Sequence, residues 1–99
     1  MNDINIGFIG LGNVGNKIAN NIIKNGYNLY VNDLDEKKSQ NLVVKGAIYC
    51  QSMDELVPNV SILITCLPSP KSVKNVLLKC LPHIENKHLW IEMSTTDEQ

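Results

Sequence analysis

The chain has 99 residues, 43% of them hydrophobic, and its nine basic and ten acidic side chains leave a net charge of -1. That length supports one domain at most, burying roughly two-thirds of the surface its unfolded chain would expose. The near-neutral charge removes any electrostatic argument for a nucleic acid or an anionic membrane partner, and no apolar run approaches the ~20 residues a membrane span requires.

The opening "MNDINIGF" enters an apolar run within a few residues, so no signal or transit peptide is expected and a cytoplasmic location is. Ile4 to Ile9 reads as a first strand, apolar on both faces at its end, as at the centre of a parallel sheet. Val14, Ile18, Ile22 and Ala19 then recur at helical spacing, and Gly26 stops that helix, which spans about Asn13 to Asn25. A second strand covers about Asn28 to Asn32. Asp35 is placed to cap another helix, with Leu42 beneath it and Lys37, Lys38 and Lys45 outward.

Gly46 ends that helix and "AIYC" follows as a short third strand. Ser52 and Glu55 have the spacing of a capping box for a short helix ending near Pro58. "SILITCL" is the most strongly β-patterned run and stops at "LPSP". Helical spacing returns at Val73, Val76, Leu77 and Cys80, and "HLWIEM" is a fifth strand. Strand and helix in alternation predict a parallel α/β sheet with right-handed crossovers.

Cys50, Cys66 and Cys80 are odd in number, form no C-x-x-C and sit among apolar residues, so buried free thiols are expected rather than a zinc site or a redox pair. His83 and His88 have no neighbour at nucleophile or metal-ligand spacing. No metal is expected.

Residues 7 to 15 read GFIGLGNVG, placing Gly10, Gly12 and Gly15 where the first strand meets the first helix. In dinucleotide-binding sheets G-x-G-x-x-G occupies this turn. The first glycine allows the bend, the second admits a pyrophosphate and the third lets helix and strand pack. The pyrophosphate rests on the unpaired amides of the helix N-terminus. An acidic residue belongs about 20 residues on, where it accepts hydrogen bonds from the ribose hydroxyls. Asp33 stands 18 residues after Gly15, at the end of the second strand. Simple capping of the next helix is the alternative for Asp33.

A carboxylate at that place repels a 2′-phosphate, Leu34 follows it, and the chain has no arginine. NAD is therefore expected over NADP. A methyltransferase would carry an acidic residue just before the first glycine, where Phe8 and Ile9 stand.

"GFIGLGNVGNKIANNIIKNGYNLYVND", with "ITCLPSPKSV" and "IEMST", resembles the N-terminal part of the β-hydroxyacid dehydrogenases over essentially the whole chain. The likeness is greatest to the 3-hydroxyisobutyrate dehydrogenase branch. Val14 and Ile18 replace two methionines of that family's signature, both keeping an apolar side chain. "LLKCLPHIENKHLW" lacks the family's glycines, and Glu98 stands in place of a proline.

The resemblance implies a Rossmann-type parallel sheet of about five strands with helices on both faces, incomplete, and lacking the family's helical C-terminal domain. It implies that Gly10, Leu11, Gly12, Asn13, Val14 and Gly15 hold the pyrophosphate and Asp33 the adenine ribose. It also implies that Leu67, Pro68 and Ser72 lie beside the cofactor and that Thr95 approaches the nicotinamide. Ser94 and Thr95 could equally cap a following helix.

The implied chemistry is hydride transfer from a small 3-hydroxy acid to NAD. The family's catalytic lysine and substrate loop lie C-terminal to these residues. No catalytic residue is therefore expected here, the chain alone is expected to be inactive, and a homo-oligomer is expected only with the missing domain. Alternatives are a sibling reductase of tartronate, glyoxylate or succinic semialdehyde, and a nucleotide-binding module without chemistry. The phosphogluconate branch ranks lower, having other residues in place of "GNVG".

Overall fold

Five short parallel strands form the centre of the molecule, which a computed structural model describes over residues 3–93. They are β1 (Asn5–Ile9), β2 (Asn28–Asn32), β3 (Ile48–Tyr49), β4 (Ile62–Thr65) and β5 (Leu89–Glu92). Their order in the sheet is β3-β2-β1-β4-β5. The chain builds outward from β1 to β3, then crosses back to place β4 on the other side of β1. Strand order therefore reverses between β1 and β4, which leaves a crevice beyond the carboxyl ends of those strands.

The register fixes which side chains share a face. Ile6 and Phe8 pair with Leu29 and Val31 on one side, and with Ile62 and Ile64 on the other. These residues pack under α1 (Asn13–Lys24), through Ala19, and under Leu42 of α2 (Gln40–Val43). Ile9 and Leu63 face the opposite way. They meet Leu56 of α3 (Met53–Leu56), Cys80 of α4 (Pro70–Cys80) and the half-buried Trp90. Because helices cover both faces, β1 and β4 are nearly continuous apolar runs instead of alternating ones.

The helix expected after Asp35 is divided. A 3-10 turn at Glu36–Ser39 precedes the single turn of α2. Asp35 caps it as expected, accepting from the Lys37 amide at 3.1 Å, and Ser39 is buried with its hydroxyl donating to the Glu36 carbonyl. That local bond competes with the α-helical ladder and tightens the first turn.

The capping box expected from Ser52 and Glu55 does not form. Ser52 makes no side-chain cap, and Glu55 Oε1 accepts from the Gln51 amide at 2.8 Å instead. One correction concerns the thiols: Cys50 and Cys80 are buried, but Cys66 is only half-buried, because β4 ends beside the open crevice. His88 is structural. Its Nδ1 accepts from the Glu85 amide, leaving Nε2 to donate to the Val57 carbonyl at 2.9 Å.

Candidate functional site

The first strand–helix turn explains two of its three glycines by the fold alone. Gly10 has φ +100, and a Cβ there would lie 2.2 Å from the Cys66 carbonyl oxygen. A Cβ on Gly15 would lie 2.3 Å from the Gly10 carbonyl oxygen, so α1 could not start so close to β1. Gly12 differs. Its φ is -67, ordinary for any residue, and an added Cβ would meet no protein atom within 4 Å. Nothing in the packing asks for a glycine there; what its missing side chain leaves open is the crevice.

At the start of α1, Gly12 occupies the N-cap position and offers no side chain, and no acidic residue lies in the first turn. The Asn16 amide makes the first intrahelical bond, to the Gly12 carbonyl at 2.8 Å. The amides of Asn13, Val14 and Gly15 precede that bond, at the positive end of the helix dipole.

Asp33 follows directly on β2 and leans back over the turn. Its Oδ2 accepts from the Leu11 amide at 2.6 Å and its Oδ1 from the Asp35 amide at 2.8 Å. Its carbonyl accepts from the Tyr49 hydroxyl at 2.9 Å. An ionised carboxylate has about four acceptor positions. The two amides use two, and two remain for hydroxyl donors. The Leu11 amide is thus committed to Asp33, and the Leu11 side chain is buried in the core. Of the turn's amides, this one is taken.

A crevice of about 1060 Å³ runs over the carboxyl ends of β1, β2 and β4. Gly10, Gly12, Asn13, Val14, Gly15, Asp33, Leu67, Pro68 and Ser72 all line it, so nine of the residues singled out from the sequence converge on one cavity. Leu11 does not line it. Thr95 lies outside the described residues. Ser72 is set in place by the α4 N-cap, where Ser69 Oγ accepts from the Ser72 amide at 3.1 Å and the two hydroxyls are 3.0 Å apart.

Residues 5–99 match the family described as the NAD binding domain of 6-phosphogluconate dehydrogenase. The chain belongs to this family of NAD-binding domains, which is that of the β-hydroxyacid dehydrogenases. It is 42% identical over 71 residues to a probable mitochondrial 3-hydroxyisobutyrate dehydrogenase of Dictyostelium discoideum, covering 72% of this chain and 22% of that protein. It is 37% identical over 93 residues to an NAD-dependent L-serine dehydrogenase of Pseudomonas aeruginosa, covering 91% of this chain and 31% of that protein. The solved structure of a Mycobacterium tuberculosis 3-hydroxyisobutyrate dehydrogenase with L-serine superposes with a TM-score of 0.87 at 26% identity, over 94% of this chain and 32% of that one. The chain thus spans less than a third of the length of each curated relative named here.

The residues present fit the dinucleotide of this family. The open cradle at Gly12, the amides that begin α1 and the half-engaged carboxylate of Asp33 are the donor and acceptor set for a pyrophosphate followed by a ribose. Beyond Asp33 the crevice is walled by Met53 and Val76 and rimmed by Tyr49, Asp54, Lys79 and His83, none of which the sequence singled out as a site residue. His83 Nε2 lies 2.6 Å from Asp54 Oδ1, a pairing across 29 positions that no local spacing announces. Val76 stood out only as a helical-core residue. Its period gave the helix, but its side chain is half-buried at the crevice wall.

Proposed function

We propose that this domain binds NAD in preference to NADP, as the cofactor portion of a 3-hydroxyisobutyrate dehydrogenase-like enzyme of valine degradation. The reaction is 3-hydroxyisobutyrate plus NAD⁺ to methylmalonate semialdehyde, NADH and a proton. The nicotinamide ring supplies the hydride acceptor. The residues of this chain bind and orient: the α1 amides carry the pyrophosphate, Asp33 takes the ribose hydroxyls, and Leu67, Pro68 and Ser72 flank the crevice. Thr95 is proposed at the nicotinamide end. Proton transfer belongs to a lysine outside these 99 residues, so the chain alone is expected to turn nothing over. A homo-oligomer is proposed only for the longer protein, and a reducing compartment such as the cytoplasm suits the three free thiols.

The observation that carries this reading is Gly12, a glycine that lines the crevice although no packing excludes a side chain there. Lys38 also lines the crevice, but the Asp33 carboxylate stands where a 2′-phosphate would need a cation, which favours NAD. The serine dehydrogenase relative favours a second reading, in which the same domain serves an enzyme of another small hydroxy acid.

Calorimetric titration tests the cofactor. The wild-type chain is expected to bind NAD, and Gly12→Val is expected to bind it at least tenfold more weakly while losing only about 1 kcal/mol of stability from the poorer N-cap. Equal affinity of the two chains would remove the pyrophosphate from this turn.

A further inference from the structure

Asp33 lies past the last rung of the β2–β3 ladder. β3 has two residues, paired as Tyr30 with Ile48 and Val31 with Tyr49. The Cys50 amide donates to the Val31 carbonyl at 2.8 Å, and after that the Asn32 side chain bonds the Cys50 carbonyl at 2.7 Å. The Asp33 carbonyl therefore has no strand neighbour. It is held instead by the Tyr49 hydroxyl at 2.9 Å, a bond between side chain and backbone across 16 positions. A carbonyl can only accept, so the phenol donates.

We infer that Tyr49 is a positioning residue for the cofactor's ribose: it fixes the Asp33 backbone so that the carboxylate keeps its free acceptor positions toward the crevice. The inference rests on the NAD reading above. Three bonds hold Asp33, two at its carboxylate and one at its carbonyl, and only the Tyr49 bond comes from β3. Tyr49 itself lines the crevice and is half-buried. Burial, with Glu36 and Asp33 nearby, pushes its hydroxyl above the ordinary range, which keeps the proton on the donor. A hydrogen bond that fixes a recognition group holds it ready for its ligand.

The test measures dissociation constants of the wild-type chain and Tyr49→Phe for NAD and for its analogue lacking both hydroxyls of the adenosine ribose. Phenylalanine keeps the ring and deletes only the donor. The wild-type chain is expected to prefer NAD over the dideoxy analogue, because the carboxylate bonds to those hydroxyls are lost. Tyr49→Phe is expected to bind NAD about three- to tenfold more weakly and to bind the analogue almost unchanged, so the preference shrinks.

A merely structural role would weaken both ligands alike and leave the preference intact, which would overturn the assignment. Loss of far-UV circular dichroism in Tyr49→Phe would overturn it too, giving the bond to folding instead. A wild-type chain that binds no NAD, or shows no preference between the ligands, would sink the NAD reading itself along with this inference.

Discussion

The Leu11 amide donates to Asp33 Oδ2 at 2.6 Å, which ties the glycine turn after β1 to the end of β2. The proposed pyrophosphate and ribose subsites therefore share one hydrogen bond. A change at either residue is felt at both subsites, because the loop amide is oriented by the same carboxylate that would receive the sugar.

Asp33→Asn tests that coupling. An amide side chain has a single acceptor oxygen, so one of the two backbone N–H groups is left facing another donor. Stability in urea is expected to fall by about 1–3 kcal/mol, with NAD affinity falling at least tenfold. Unchanged stability would mean that the Leu11 tie contributes nothing to the fold.

The three glycines should separate under alanine substitution. Gly10→Ala meets a positive φ and the Cys66 carbonyl, and Gly15→Ala meets the Gly10 carbonyl. Each is expected to cost about 2–4 kcal/mol, visible as a lowered thermal midpoint. Gly12→Ala, with open space around its Cβ, is expected to lose only about 0.5–1 kcal/mol, the cost of alanine as an N-cap. A loss as large as that of Gly10→Ala or Gly15→Ala would return that glycine to a packing role.

The sheet face beyond α1 should self-associate. Leu89 and Ile91 pair with Ile62 and Ile64, so they lie on the α1 side of the sheet beyond β4, and they remain exposed with Met93. An apolar edge strand of this kind is a template for pairing with a second chain. Sedimentation velocity of the 99-residue chain is expected to show weak, concentration-dependent association with no defined oligomer, and Ile91→Lys to abolish it. A wild-type chain that stays monomeric throughout would rule this out.

Alkaline pH should weaken the fold through Cys80. Burial raises its thiol from 9.0 to about 11, so the folded state keeps a proton that the unfolded state releases first. Its contribution is whole below pH 9 and is lost as pH rises toward 11. Chemical denaturation across that window is expected to show a decline that Cys80→Ala makes shallower, the remainder coming from the raised Cys50, Cys66 and Tyr49. Cys66, the half-buried thiol at the crevice, should be the first of the three to react with a thiol reagent. Added NAD is expected to slow that reaction.

Taken from the sequence alone, the order of strands and helices, the glycine turn and the placing of Asp33 at the end of β2 were all legible. Each is a local matter. Hydrophobic period distinguishes strand from helix, glycine marks a bend within a few residues, and an acid after an apolar run lies at a strand's end. What failed was finer local competition, as where Glu55 bonded to Gln51 rather than closing a box with Ser52.

Only the tertiary structure decided which amide of the turn is already engaged, that Tyr49 holds Asp33 and that His83 meets Asp54. Those pairs are separated by 22, 16 and 29 positions. The strand order β3-β2-β1-β4-β5 brings β1, β2 and β3 side by side at one end of the crevice. A single sequence records which donors and acceptors exist, but hydrogen bonds act over about 3 Å, and the distances between these groups are fixed only once the sheet has formed.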